Sequence, residues 1–455
     1  MTLRDGAQGP GISFSVSDKL RIADKLDELG VSYIEGGWPG SNPKDIDFFE
    51  EMKGRPLRHA RLAAFGATRR PGGEAGDDLQ LRHLVDAQTP VVTLVGKSWD
   101  RQVSDVIRTD LEENLAMIRD SIAFLVAQGR LAMYDAEHFF DGFVSNQDYA
   151  LRCLDTALAA GAERVVLCDT NGGTLPDALS ATVTAVVARF GDRVGIHTHD
   201  DSGVGVANTL AAVRAGVVQV QGCMNGYGER AGNANMTTII PNLQLKMGHD
   251  LVSAESLARL TETSQYIDEI ANQAPNPFAP FVGEGSFTHK GGQHVDAMMK
   301  AAYTYQHIDP AVVGNRSRIV VSDQAGRGNV LFKAQEFGID LDGDRALARR
   351  LAERVKELEH RGYSFEGADA SFEMVIHRAR GEQASFELID MITLVEQREG
   401  NAMVSEATVK IRVADQVMHT AGEGNGPVNA LDAALRKALL PHFPEIDAIR
   451  LHDYK

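Results

Sequence analysis

Cysteine is scarce in this sequence, and long apolar runs are missing. Cys153, Cys168 and Cys223 are widely spaced and odd in number, which provides no disulfide framework and is typical of a reducing cytosol. No run of about 18 apolar residues that could cross a membrane is present. No basic segment followed by an apolar one opens the chain, as a leader would. We therefore expect a cytoplasmic protein with no membrane partner.

Positive charge is also scarce. Lysine and arginine number 46 against 63 aspartates and glutamates, so the formal net charge is -17 at pH 7. No basic block interrupts this balance, which argues against nucleic acid or an anionic membrane as the main partner. The remaining composition, 43% hydrophobic and 24% charged, is that of a globular protein. A length of 455 residues predicts two or three domains.

The first half of the sequence repeats one pattern, in which a short apolar run alternates with a longer amphipathic segment. In the segment 17–30, for example, Ser17 or Asp18 can cap a helix and a glycine ends it. Seven apolar runs recur, at 31–39, 61–68, 90–98, 130–139, 163–172, 193–203 and 217–226, and the opening "MTLRDG" is an eighth candidate. Apolar strands alternating with helices predict a parallel sheet covered on both faces. Eight such units in about 245 residues favour a TIM (β/α)8 barrel over a doubly wound sheet.

Polar side chains gather where these predicted strands end. They are Glu35, Asp135, Glu137, Asp169, Thr170, His197 and His199. In a barrel, the carboxyl ends of the strands form the face that carries the active site. Each residue alone could be a cap or a turn residue, but the recurrence from strand to strand favours a site.

The stretch "GIHTHDDSG" (195–203) contains two histidines two positions apart. In a strand, alternation directs His197 and His199 to the same face, where they could hold a divalent metal or simply occupy a wet strand end. Asp5 could join them, because two imidazoles and a carboxylate with open positions suit a metal that also binds substrate. Arg4 would then stabilise an oxyanion, although adjacent Arg and Asp residues are more often a surface pair.

Two glycine-rich stretches resemble phosphate-binding loops only weakly. Such a loop follows the first strand of a dinucleotide-binding fold, and neither stretch has that position. They are "GCMNGYGERAGNAN" (222–235) and "GEGNGP" (422–427). We interpret the first as a loop after the last barrel strand that brings Glu229, Arg230 and Asn233 over the site.

The pattern changes after residue 250. Helical stretches at 253–273 and 343–362 flank a loop that contains His289 and His294. This loop is either an exposed polar loop or a lid that carries a catalytic histidine. Strand-like runs then occur at 371–379, 385–396 and 407–420, followed by a helix at 427–443. We therefore expect a TIM-barrel catalytic domain (1–250), helical lid and linker subdomains (251–365) and a small α+β domain of βββα type (366–455).

Five separate blocks resemble a known enzyme family. They are "TLRDGAQ", "HTHDDSGVGVANTLAAV", "GYGERAGNAN", "GEGSFTHKGGQHVDAM" and "TYQHIDPAVVGN". In this order they resemble the alpha-isopropylmalate synthase/homocitrate synthase family, metal-dependent TIM-barrel enzymes that perform Claisen condensations with acetyl-CoA. The resemblance runs over essentially the whole chain. "YIEGGWPGSNPKD" and "DAEHFFDGF" look most like the citramalate synthase branch, which condenses acetyl-CoA with pyruvate to (R)-citramalate for isoleucine biosynthesis.

The resemblance implies a role for individual residues. A divalent metal (Mg, Mn or Zn) would be bound by Asp5, His197, His199 and Asn233. The remaining site residues would be Arg4 for polarising the 2-oxo acid, Thr170 for its carboxylate, Glu137 beside the acetyl-CoA methyl group, and the lid residues His294 and Tyr305. Tyr303 is an alternative to Tyr305. The resemblance also implies acetyl-CoA and a 2-oxo acid as substrates and a homodimer as the assembly.

The sequence departs from the family pattern at both ends. The pattern has more chain before "TLRDG", and its regulatory domain has two βββα halves where this sequence has one. We therefore expect a weakened placement of Arg4 and Asp5, and weakened dimerisation and feedback inhibition. Three alternatives stay open at this point: a 2-isopropylmalate synthase acting on 2-oxoisovalerate, a metal-dependent aldolase or lyase, and an inactive metabolite sensor.

Overall fold

The computed structural model describes residues 1–322, 324–341, 344–382, 384–397 and 403–450. Within it the chain divides into two units, Met1–His289 with Lys300–Arg318, and Lys290–Met299 with Ile319–Lys455. None of the helices in the described part of the chain is both long and apolar enough to span a membrane. The predicted domain boundaries, after residues 250 and 365, stay predictions.

Seven parallel strands form the sheet of the first unit, in the order in which they follow one another along the chain. They are β1 (Tyr33–Gly37), β2 (Arg61–Ala67), β3 (Val91–Lys97), β4 (Leu131–Glu137), β5 (Arg164–Asp169), β6 (Val194–Thr198) and β7 (Gln219–Gln221). The sheet curls on itself, because the side chain of Gln221 on β7 donates to Asp135 on β4 at 3.0 Å. The predicted TIM-barrel type of fold is confirmed.

Helices precede and follow these strands. In the first unit they are α1 (Val16–Leu29), α2 (Pro43–Met52), α3 (Leu79–Asp86), α4 (Leu111–Ala127), α5 (Phe139–Ser145), α6 (Gln147–Ala159), α7 (Pro176–Phe190), α8 (Gly205–Arg214), α9 (Met236–Pro241), α10 (Ala254–Leu257) and α11 (Leu260–Ile270). In α1 the buried residues Ile22, Leu26 and Leu29 recur at helical spacing and share a core with Ile34 of β1. The helical stretch predicted at 253–273 contains two helices, α10 and α11.

The first helix begins earlier than predicted. Ser15, and neither Ser17 nor Asp18, is its N-cap, because Oγ of Ser15 accepts the backbone N–H of Asp18 at 3.1 Å. The carboxylate of Asp18 in turn accepts the backbone N–H of Ser15 at 2.9 Å. These two reciprocal bonds form a capping box, which places Asp18 inside the helix.

The opening segment "MTLRDG" is not a strand, so the predicted eighth strand is wrong. Its backbone bonds locally, since the N–H groups of Arg4 and Gly6 both donate to the carbonyl of Met1. A short 3-10 helix follows at Gly6–Gln8. The segment still lies beside the end of β7, because the backbone N–H of Met224 donates to Oγ1 of Thr2 at 3.0 Å.

The remaining elements are mixed helices and strands. They are β8 (Thr288–His289), α12 (Gly292–Lys300), β9 (Arg318–Ile319), α13 (Arg327–Glu336), α14 (Arg345–His360), α15 (Asp369–Ala379), β10 (Glu387–Gln397), β11 (Met403–Val413), β12 (Gln416–Gly424) and α16 (Pro427–Leu439). The prediction of a strand at 371–379 is wrong, since these residues form α15. Phe372 and Ile376, four residues apart, are buried, whereas Met374 is exposed, so a helical face and not strand alternation is covered.

The small C-terminal sheet has the order β10-β11-β12 and is antiparallel. The run predicted as one strand at 407–420 is a hairpin, with positive φ at Ala414 and Asp415 in its turn. Val409, Ile411 and Val413 alternate toward α16 and are buried there against its alanines. The domain therefore has three strands followed by a helix, as predicted. The predicted strand at 371–379 is not one of them, and the third strand is β12, the second strand of the hairpin.

Candidate active site

A cavity of about 420 Å³ lies at the carboxyl ends of the barrel strands. Its wall contains the predicted site residues Arg4, Asp5, Glu137, Thr170, His197 and His199. The loop after β7 contributes Glu229 and Arg230, in agreement with the interpretation of that loop. Barrel closure therefore brings together side chains from separate segments of the chain.

The two histidines and Asp5 form a buried cluster. His197 lies on β6 and His199 just after it, and their ring centroids are 5.0 Å apart. Nε2 of His197 lies 3.8 Å from Oδ2 of Asp5. One ligand atom from each of the three residues falls within 4.8 Å of the others. Nδ2 of Asn233 donates to Oδ1 of Asp5 at 2.8 Å, so the fourth predicted ligand is adjacent to the cluster.

Two atoms of this cluster are buried without a hydrogen-bond partner among the residues that the structure describes. They are Nδ1 of His199 and Oδ1 of Asn233. A buried polar atom without a partner costs about 1–3 kcal/mol, so such atoms are rare unless a ligand or a water completes them. Both atoms can offer a lone pair, and nitrogen and oxygen donors of this kind suit a divalent cation. The cluster therefore fits a bound metal ion.

The charge states of the cluster also suit a cation. Burial lowers the pKa of His197, and burial together with His197 lowers the pKa of His199 to about 4. Burial opposes the ionisation of Asp5, but Arg4 and His197 outweigh it and hold the pKa of Asp5 well below its usual range. At neutral pH the imidazoles are neutral and the carboxylate is ionised, which are the forms that bind metals.

A second group of possible ligands, formed by Asp135, Cys168 and His197, shares one histidine with the first. Burial raises the pKa of the Cys168 thiol far above its ordinary value. Because the thiolate is the form that binds metals, a thiol that stays protonated makes this group the poorer fit.

The guanidinium group of Arg4 has three partners, Glu35, Asp5 and Phe65, and its Nη2 stays available as a donor. Its Nε donates to Oε1 of Glu35 at 2.6 Å, and its Nη1 donates to Oδ2 of Asp5 at 3.0 Å. Its Cζ lies 3.6 Å from the ring centroid of Phe65. No hydrogen bond of Nη2 to another described residue is present. A rigid guanidinium that lines the cavity with a spare donor can bind an oxygen of a substrate.

Glu137 and Thr170 lie on neighbouring strand ends. Glu137 is paired with Lys97, its register partner on β3, and about a quarter of each side chain is exposed. Oγ1 of Thr170 accepts the backbone N–H of His138 at 2.8 Å. The carbonyl of Thr170 accepts Nη2 of Arg230 at 2.6 Å, which ties the loop after β7 to the cavity wall.

The same loop requires glycine at position 228. A Cβ there would lie 2.2 Å from Nδ2 of Asn233, and φ is +154°. Any side chain would therefore displace Asn233 from Asp5. Local packing thus explains part of the motif "GYGERAGNAN".

Tyr305 and His294 are the two remaining predicted site residues. Tyr305 belongs to the first unit, follows a short 3-10 helix and contacts the ring of His289 at a centroid distance of 6.5 Å. Neither Tyr305 nor its predicted alternative Tyr303 is among the described residues that line the cavity. His294 lies in α12 in the second unit, where its side chain is exposed. The predicted roles of these residues stay predictions.

Sequence reasoning missed Lys97 and Gln221 as parts of the site. Lys97 ends the apolar run at 90–98, so its position at a strand end was the available signal. Gln221 carries no such signal, because it lies in the middle of the apolar run predicted at 217–226, although it ends β7 in the structure. Glu35 was found as a strand-end residue, but its bond to Arg4 was not predictable.

Three family models match successive parts of the sequence. Residues 1–267 match the HMGL-like family, and residues 281–362 match the homocitrate synthase post-HMGL domain-like family. Residues 366–455 match the LeuA allosteric (dimerisation) domain. The chain belongs to the HMGL-like family. The resemblance drawn from the five sequence blocks is confirmed.

Relatives of this HMGL-like chain are similar over its whole length. An (R)-citramalate synthase from Synechocystis sp. is 52% identical over 470 residues, which cover 100% of this chain and 85% of the relative. An (R)-citramalate synthase from Aquifex aeolicus is 50% identical over 457 residues, with coverage of 100% and 87%. The solved HMG-CoA lyase of Bacillus subtilis aligns with a TM-score of 0.52 at 20% identity, covering 60% of this chain and 92% of that chain. This likeness supports the barrel fold alone.

Proposed function

We propose that this chain is an (R)-citramalate synthase, an acyltransferase that condenses acetyl-CoA with pyruvate and releases (R)-citramalate and CoA. The observation that carries this proposal is the full-length identity of 50–52% to (R)-citramalate synthases, together with the cavity that holds the buried cluster. Its product would enter isoleucine biosynthesis by the citramalate route. The proposed substrates are acetyl-CoA and a 2-oxo acid.

A metal ion completes the proposed site. Asp5, His197, His199 and Asn233 would hold one divalent cation, with magnesium, manganese and zinc as candidates. When bound, the cation supplies a Lewis acid that polarises the 2-oxo acid. The two unpartnered atoms of the cluster support this assignment.

The protein side chains supply positioning and proton transfer. Arg4 donates its spare Nη2 to the keto oxygen of pyruvate as negative charge develops there. Thr170 binds the carboxylate of the 2-oxo acid. Glu137, held by Lys97, removes a proton from the methyl group of acetyl-CoA. A carbon–carbon bond forms between that methyl carbon and the keto carbon, and the keto oxygen takes up a proton to become a hydroxyl group. Water then adds its hydroxyl group to the acyl carbon as the thioester carbon–sulfur bond breaks, and its proton goes to the sulfur to release the CoA thiol.

Other parts of the proposal depend on the resemblance. His294 as the lid histidine and Tyr305 as the site tyrosine stay predictions. A homodimer is proposed because residues 366–455 match a dimerisation domain. The cytoplasmic location also stays a prediction.

The proposal is tested by CoA release, followed with a thiol reagent. We expect turnover with acetyl-CoA and pyruvate that requires magnesium or manganese and stops after EDTA. The His197→Ala variant should lose turnover, whereas His59→Ala, an exposed histidine outside the cavity, should keep it. Preference for 2-oxoisovalerate over pyruvate would instead assign the chain to 2-isopropylmalate synthesis. Lack of turnover with either oxo acid would overturn the proposed function.

A further inference from the structure

Gln221 connects a proposed metal ligand on β6 to a carboxyl group on β4. It ends β7, is 8% exposed and is the register partner of His197 on β6. Its Oε1 lies 3.0 Å from Nδ1 of His197. Its Nε2 donates to Oδ1 of Asp135 on β4, also at 3.0 Å. One side-chain amide therefore bridges β4 and β6 inside the barrel.

Both ends of this amide are used. In the structure the NH2 group of Gln221 faces Oδ1 of Asp135, which accepts, and the carbonyl oxygen faces Nδ1 of His197. A carbonyl oxygen has no proton to donate, so Nδ1 of His197 must carry the proton. The neutral ring then keeps its lone pair on Nε2, the atom that lies 3.8 Å from Asp5.

The opposite orientation would have the opposite consequence. A flipped amide would present its NH2 group to Nδ1, and Nδ1 would then accept a hydrogen bond. The ring proton would move to Nε2, which would leave no lone pair toward Asp5. Asp135 therefore acts on His197 through Gln221, although Asp135 itself makes no hydrogen bond to the ring.

We propose that Gln221 is a positioning residue that holds His197 as the Nδ1-protonated tautomer and so prepares Nε2 for a divalent cation. This inference rests on the metal site of the proposed function. Outer partners of this kind typically change metal affinity by about 10–100-fold when they are removed. Gln221 would thus set the affinity of the site without contacting either substrate.

The tautomer can be measured without metal and without turnover. In metal-free protein labelled with 15N-histidine, a long-range 1H–15N spectrum distinguishes the two neutral tautomers, and a His197→Asn variant assigns the ring. We expect the Nδ1-protonated form in the wild type. The Gln221→Met variant, similar in size but without an acceptor, should give a mixture or the Nε2-protonated form.

Metal affinity provides the second measurement. Free Mn²⁺ is followed by its EPR signal during titration, and Gln221→Met should weaken binding by about 10–100-fold. Gln221→Glu keeps an acceptor toward Nδ1 and should stay within about threefold of the wild type. The matched control is Gln219→Met, on the same face of β7, because Gln219 donates to Sδ of Met133 at 3.2 Å and touches no proposed ligand.

Two results would overturn the inference: an Nε2-protonated His197 in the wild type, or wild-type tautomer and affinity in Gln221→Met. If the wild type does not bind Mn²⁺, the metal site of the proposed function fails, and the tautomer spectrum still decides the role of Gln221. If Gln221→Met does not fold, the wild-type spectrum and the Gln221→Glu variant decide it. CoA release is not used in either measurement, so a failure of this inference can be distinguished from a failure of the proposed function.

Discussion

The buried cluster predicts that a divalent cation releases fewer protons from its ligands at pH 6 than two ordinary histidines would release. Burial lowers the pKa of His197, and it lowers the pKa of His199 to about 4. Asp5 is already ionised, because the pKa of its carboxyl lies well below its usual range. Asp5 and His199 are therefore in their metal-binding forms at pH 6 before the cation arrives, and burial shifts His197 toward its neutral form.

The magnitude follows from the histidine pKa values. A histidine with the ordinary pKa of about 6.5 is protonated to about 0.8 at pH 6, so two of them would release about 1.5 protons on binding. With a pKa of about 4, His199 is protonated to only about 0.01 at this pH. The expected release from His199 is therefore close to zero, and the lowered pKa of His197 reduces its release in the same direction.

Isothermal titration with Mn²⁺ in two buffers of different ionisation enthalpy counts these protons. Asp135 complicates the count, because burial, with Glu35 nearby, raises its pKa to about 8. A cation bound near it would favour loss of that proton and add up to one to the total. The Asp135→Asn variant removes this contribution, so the difference between the two proteins assigns it.

We expect clearly fewer than about 1.5 released protons at pH 6 in Asp135→Asn, because His199 contributes close to none, and up to one more in the wild type. A titration at pH 8, where ordinary histidines are already neutral, provides the baseline. Release of about 1.5 protons at pH 6 in both proteins would show that the imidazoles are charged in the metal-free protein, and the argument from burial would be refuted.

Three further predictions concern single residues. Arg4→Lys should retain Mn²⁺ binding but lower kcat for CoA release by about 10²–10³-fold, because lysine cannot reproduce the planar donors. Asp27→Asn should lower the free energy of unfolding at pH 7 by about 1–3 kcal/mol in urea titrations, because its carboxylate accepts three backbone N–H groups at 2.7, 2.8 and 2.7 Å. Burial opposes the ionisation of Asp27, but these bonds lower its pKa, so the stability lost in Asp27→Asn should shrink as pH falls through the pKa of Asp27 in the folded protein. The control variant Asp24→Asn, at a surface ion pair, should change the free energy of unfolding by less than about 0.5 kcal/mol. Because the pKa of Asp135 is raised, its contribution to stability is lost as pH rises from about 4 to 8. The Tm of metal-free Asp135→Asn, measured relative to that of the wild type, should therefore rise over this interval and stay constant above it.

Much of the fold could be predicted from local patterns. The alternation of apolar runs with amphipathic segments predicted all seven barrel strands, because a strand buried on both faces is continuously apolar. The same logic placed His197, His199 and Glu137 at the carboxyl ends of strands, where the cavity is found. These features depend on neighbours within a few residues, and the sequence records them directly.

Local patterns failed where two structures share one pattern. In the segment 371–379 the apolar residues Phe372, Met374 and Ile376 alternate as in a strand, yet Phe372 and Ile376 also have helical spacing. Packing of α15 against its neighbours buries Phe372 and Ile376 and leaves Met374 exposed. The choice was made by the tertiary environment, since both periodicities are present in the sequence.

By itself, then, the sequence determined the seven barrel strands and their alternation with helices, the polar residues at the strand ends and the family. Only the tertiary structure decided that Gln221 bridges His197 and Asp135, and that Arg4 binds Glu35 with Nη2 left over. The physical reason is that such contacts join residues far apart in the chain. They depend on how the sheet curls and on strand register, where a shift of one residue turns a side chain from the interior to the outside.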